Sequence, residues 1–167
     1  MPGFRRAAIA AALLALPAGA AAVDLTGRVR MDVVAPISIS LRSNLDFGQV
    51  IPGAARGRFA CTPGGQVVRV SGLTQVGGCE AGSFRVTGEP YFAFSISLPQ
   101  GAIELDAPGA PGGGFVSVDK FKSRPKHTGV IGSNGSRLLR IGARLRIKGD
   151  TPPGHYSAVY NVSVDYN

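Results

Sequence analysis

Few side chains in this sequence are of the kinds that do chemistry, and their spacing narrows the options. His127 and His155 are the two histidines. His127 stands in Lys126-His127-Thr128, and His155 follows Pro153-Gly154 at a turn signal. A serine nucleophile would need one of them as its base, with partners drawn from distant positions. No Gly-x-Ser-x-Gly elbow accompanies either one, and histidines in turns read as surface residues. The ten acidic residues are scattered, with no EF-hand loop around any of them. Gly112-Gly113-Gly114 runs towards a strand pattern without the Gly-Lys-Ser/Thr ending of a phosphate cradle. The expectation is a non-enzymatic chain with no catalytic residue, cofactor or metal.

Cys61 and Cys79 are the only cysteines. Metal ligation would need His or carboxylate partners at ligand spacing, and only Glu80 is near. An even pair in an exported chain reads instead as a disulfide. Its short loop would contribute about 3 kcal/mol by restricting the unfolded chain. The densest basic cluster is Lys120, Lys122, Arg124 and Lys126, interleaved with Phe121 and Pro125. It is a candidate site for an anion or glycan. The plainer reading is a strand edge kept soluble by lysine. No Lys/Arg run exceeds two residues, and the basic balance permits attraction to lipopolysaccharide, polyanionic polysaccharide or nucleic acid. Solvated strand faces are the plainer reading, and no nucleic-acid partner is expected.

The compartment follows from the first segment. Arg5-Arg6, the apolar run Ala7–Leu16 and the small residues Ala20-Ala21-Ala22 form a signal-peptide pattern, with cleavage expected after Ala22. The run is well short of the about 20 residues a membrane span needs. Loss of Arg5 and Arg6 with the leader takes the formal charge from +8 to +6. Residues 23–167 are then expected to form one exported domain without a transmembrane segment, in the periplasm or on the surface of a Gram-negative bacterium.

Past the leader, the recurring signal is alternation at period two, cut by the 24 Gly and 12 Pro residues. About eight or nine short strands are expected, in an all-β, immunoglobulin-like, two-sheet antiparallel sandwich. Strands are read at 66–71, 83–87, 92–98, 101–105 and 115–121, with a turn region over 43–53. Ser133-Asn134-Gly135 carries a hairpin signal and opens a strand whose Leu139, Ile141, Ala143, Leu145 and Ile147 share one face. Arg140, Arg144, Arg146 and Lys148 take the other face. A last strand presents Tyr156, Ala158, Tyr160, Val162, Val164 and Tyr166 together.

The N-terminal alternation is the longest. From Val23 through Leu25, Gly27, Val29, Met31, Val33 and Ala35 to Leu41, every odd position is apolar or Gly. One strand of that length would reach roughly 60 Å, several times a usual sandwich strand. Either Pro36 divides it, or its first half, residues 23–34, leaves the domain.

Several segments together resemble a known family. They are Val33-Val34-Ala35-Pro36-Ile37-Ser38-Ile39, Leu45-Asp46-Phe47-Gly48, Ile51-Pro52-Gly53 and Ala81–Gly88. Phe94–Pro99, Asp119–Ser123, Pro153–Ser157 and Val162–Asn167 complete the set. Their order and spacing resemble the bacterial exported family called domain of unknown function 4402, and through it spore coat protein U and archaic chaperone–usher pilins. Cys61 and Cys79 depart from that family's pattern. The pilin resemblance implies an incomplete sandwich closed by a neighbour's N-terminal strand. It also implies partners that are copies of the chain or related subunits, and a periplasmic chaperone. Val23, Leu25, Val29, Met31 and Val33 would be the donor; Tyr156, Tyr160, Val162, Val164 and Tyr166 would line the acceptor. Two readings of the donor stay open: it closes its own sheet, or it closes a neighbour's. A self-contained binding module for a glycan or polyanion is the alternative to an assembly subunit.

Overall fold

Alternating apolar residues between glycine and proline breaks produce strands and turns. The computed structural model describes residues 26–107 and 113–167, and these contain antiparallel β-sheets and no helix. The proposed leader, Val23 and Leu25 lie outside the described residues. The chain divides into two units, Met1–Asp32 and Val33–Asn167. In the first, the described residues 26–32 form no strand. The second carries every strand found among the described residues.

Twelve strands follow in order. They are β1 (Ser38–Ser43), β2 (Gln49–Pro52), β3 (Gly57–Cys61), β4 (Val67–Ser71), β5 (Leu73–Val76) and β6 (Gly82–Thr87). Then come β7 (Ala93–Ser97), β8 (Ile103–Leu105), β9 (Val116–Arg124), β10 (Thr128–Val130), β11 (Ser136–Ile147) and β12 (Ser163–Tyr166). The largest sheet has seven strands, in the order β1-β6-β11-β3-β4, with β9 also on β11 and β8 on β9. A three-stranded sheet runs β10-β7-β12, and β2 pairs with β5.

The long β11 organises the large sheet. Its first half, Ser136–Ile141, pairs with β6, and its second half, Ala143–Ile147, pairs with β3. Arg140–Ile147 also pairs with β9, so β9 occupies the opposite edge. The alternation in β11 aims Leu139, Ile141, Ala143, Leu145 and Ile147 inward, as its pattern predicts. These residues enter two apolar clusters. In the first, Val86, Leu139 and Ile141 of the large sheet pack with Phe94, Ile96 and Val164 of the three-stranded sheet, and with Ile131. In the second, Phe59, Val116 and Val118 pack with Ala143, Leu145 and Ile147. Phe59, Phe94, Leu139 and Ile141 are fully buried. Each contributes about 1.5–3 kcal/mol of transfer free energy.

The differences from the sequence expectation have a common cause. Alternation fixes which face a residue takes, whereas a strand also needs a hydrogen-bonded partner. Of the described part of the N-terminal alternation only Ser38–Ser43 finds one, on β6. Of the last run only Ser163–Tyr166 does, on β7, preceded by an isolated bridge between Asp106 and Ser157. Gln49–Pro52, read as turn, is a strand because β5 lies beside it. The Asn134-Gly135 turn forms, with Gly132 N donating to Ser136 O, yet it makes no hairpin ladder. It carries the chain from β10 in one sheet to β11 in another.

Candidate functional site

The last segment of the chain lies against β6 through two tyrosines, each set over a glycine. A Cβ added at Gly82 would meet the Tyr160 hydroxyl, and one at Gly88 would meet the Tyr166 hydroxyl. Any side chain at either position would displace a ring, so glycine at the ends of β6 admits both phenols. Tyr160 packs edge-on to Phe84, with ring centroids 6.3 Å apart, and its ring lies 5.4 Å from that of Phe121. Its Oη is buried with no hydrogen-bond partner among the described residues, and burial raises its pKa.

Tyr166 is fully engaged. Its Oη donates to Ala35 O at 2.8 Å and accepts from Glu89 N at 2.6 Å. Ala35 N in turn donates to Glu89 Oε2 at 3.0 Å. These three bonds fasten the stretch before β1 to the last strand, near the seam between the two sheets. Along that seam β1 pairs only with β6, and β12 only with β7, so each keeps one edge without a ladder partner.

The expected strand-exchange residues divide accordingly. Val164 is buried in the first cluster, and Tyr160, Val162 and Tyr166 are half-buried against it. Tyr156 packs on the second cluster instead, its Oη donating to Pro152 O. On the donor side Val29 is 99% exposed, Met31 82% and Val33 83%, and residues 26–37 form no strand.

The basic cluster expected to act together is split. Lys120 and Lys122 line an open hollow with Arg58, Arg69 and Arg144, Arg124 lines a different one, and Lys126 lines neither. β9 is irregular at its middle: Lys120 has a φ of 50°, and the register with β11 shifts between Gly142 and Arg144. What sequence reading missed is a denser group. Arg42, Arg85, Arg124, Arg137 and Arg140 line a hollow of about 730 Å3 on the outer face of the large sheet. They come from β1, β6, β9 and β11, and strand pairing brings Arg85, Arg124 and Arg140 together, with Arg137 near the start of β11 and Arg42 at the β1 irregularity. Only the alternating Arg140, Arg144 and Arg146 hinted at this face.

On the same face Arg144 donates to both carboxylate oxygens of Asp119, at 2.6 and 2.5 Å, and Arg146 approaches at 3.1 Å. The Arg144 hydrogen bonds hold the Asp119 carboxyl below its ordinary value, and Asp119 raises Arg144 in return.

Cys61 and Cys79 form a disulfide, tying the end of β3 to the segment before β6 across a sequence separation of 18. His127 and His155 are both exposed, in separate loops. Among the described residues no three His, Cys, Asp or Glu side chains converge, and no helix is long and apolar enough to cross a membrane.

The chain matches no curated protein and no solved structure. A family model does match, that of a domain of unknown function, DUF4402, over residues 37–166. Because that span begins one residue before β1 and ends with β12, it takes in all twelve strands, and the chain belongs to the DUF4402 family.

Proposed function

We propose that this chain is a non-enzymatic structural subunit of the bacterial envelope or surface, joined to its neighbours by β-strand complementation. In this reading residues 1–22 are a cleaved leader. The domain is an immunoglobulin-like sandwich, and its seam between β1 and β12 accepts a strand from another copy. The observation that carries the proposal is the pairing of two unmet needs. Val29, Met31 and Val33 alternate in a segment without a partner strand, and β12 has an edge without a ladder. A strand laid there would gain backbone hydrogen bonds for affinity and alternate side-chain contacts for register. The buried, unpartnered Tyr160 Oη lies beside the run that would receive it. An open edge of this kind invites promiscuous pairing, which is why a periplasmic chaperone is the expected second partner.

The test compares the chain from residue 23 with one lacking residues 23–32. The longer form is expected to give heat-labile ladders on denaturing gels, and the shorter to stay monomeric with an unchanged melting temperature. A synthetic peptide of residues 23–34 should raise the melting temperature of the shorter form. A longer form that remains monomeric, with no response of the shorter form to the peptide, would sink the proposal.

A further inference from the structure

The outer face of the seven-stranded sheet is cationic in a way that the fold itself does not require. The register sets Arg124 directly opposite Arg140, and Arg58 directly opposite Arg146. Like charges at directly opposed cross-strand positions are destabilising. Arg85 stands opposite Leu138 one row away from the first of these pairs, and Arg42 lies at the irregularity where β1 shifts register on β6. Five guanidiniums therefore line one hollow, and none of its nine lining residues is acidic. Arg42, Arg85, Arg124, Arg137 and Arg140 are all exposed, and no ion pair to any of them is present among the described residues. Of the acidic residues that the register sets on this face, Asp119 is taken by Arg144 and Arg146, and Glu104, opposite Ser117, does not line the hollow.

We infer that this hollow binds an acidic polysaccharide, with carboxylate-bearing sugars held by the arginines at cross-strand spacing. Guanidinium is the group that takes a carboxylate with two parallel hydrogen bonds. A repeating polymer of such groups would turn the repulsion between Arg124 and Arg140 into shared attraction for one chain. The remaining lining is Pro125, Asn134, Ser136 and Leu138. Asn134 and Ser136 supply amide and hydroxyl groups suited to sugar hydroxyls. No aromatic ring lines the hollow, so it lacks the stacking platform that single-stranded nucleic acid uses. Leu138 and Pro125 give too little apolar surface to enter a lipid layer. The inference does not depend on strand complementation.

The experiment titrates the purified chain with sodium alginate as the polyuronate. Neutral dextran, phosphatidylglycerol vesicles and poly(dT) serve as parallel probes. Alginate is expected to bind most tightly and to weaken as salt is added. Combined Arg85→Gln, Arg124→Gln and Arg140→Gln should lower its affinity about tenfold or more, since three charge-assisted contacts go. The melting temperature of that variant should hold or rise, because the opposed positive pair is gone. The corresponding Arg→Lys triple keeps the charge and should fall between the two. Lys120→Gln with Lys122→Gln should leave alginate binding within about twofold, as neither lysine lines this hollow. Equal binding by wild type and both arginine triples would overturn the inference. So would vesicles or poly(dT) binding as tightly as alginate, or an equal loss from the lysine pair. Should the glutamine triple fail to fold, the lysine triple decides alone: unchanged alginate affinity there counts against the fork-shaped contacts proposed.

Discussion

Tyr166 Oη donates a hydrogen bond to Ala35 O at 2.8 Å, joining residues 131 positions apart in sequence. The same oxygen accepts from Glu89 N, and the Glu89 carboxylate accepts from Ala35 N. One phenol thus fixes the approach to β1 and the end of β12 against the turn after β6. The seam between β1 and β12 is closed at this end by side chains rather than by a ladder, and the rest of its length is free of strand pairing.

Tyr166→Phe removes one donor and one acceptor while keeping the ring, which also meets Phe92 at 5.6 Å. A loss of about 1 kcal/mol is expected from urea unfolding, because the freed Ala35 carbonyl is exposed enough to bond water.

Tyr160 should respond with the opposite sign. Its hydroxyl is buried and unpartnered, so Tyr160→Phe should stabilise the monomer by about 1 kcal/mol. Gly82→Ala should destabilise by about 1–3 kcal/mol, because its Cβ meets that hydroxyl. Combining the two should recover part of the loss, and a double-mutant cycle by chemical denaturation measures the coupling. Strict additivity would show that the two groups do not meet.

Loss of the disulfide by Cys61→Ser with Cys79→Ser should cost about 3 kcal/mol, the closure entropy of a loop of that length. Reduced wild-type protein should unfold at the same guanidinium concentration as the double variant.

Asp119 sets a pH dependence. Its folded pKa lies below the ordinary 3.8, chiefly through the Arg144 hydrogen bonds, against opposing desolvation. A depressed carboxyl contributes stability that is fully present above the unfolded value, about 4, and is lost as pH falls through the folded one. Asp119→Asn should therefore be less stable than wild type by a constant amount above about pH 5. The gap should close progressively in more acidic melts.

A good part of this was legible in the residues. Cys61 and Cys79 could be paired because there were no other cysteines to choose from. Leu139 through Ile147 could be placed inward because period-two alternation leaves a strand one apolar face. The resemblance to the DUF4402 family rested on such motifs, and the match over residues 37–166 bears that family out. What was not legible is whatever depends on a strand's neighbour. Alternation from Val23 to Leu41 looks uniform, yet among the described residues only Ser38–Ser43 meets β6. Tyr156 and Tyr160 look equivalent, yet they enter different clusters.

The sequence by itself determined strand-forming character, the inward face of β11 and the cysteine pair, because these depend on local periodicity and on composition. Only the tertiary structure decided which strands lie side by side. That choice placed Arg85, Arg124 and Arg140 in one hollow, parted Arg124 from Lys120 and Lys122, and left β12 with a bare edge. Register is set by packing and backbone pairing between segments far apart in the chain, and no local pattern encodes it.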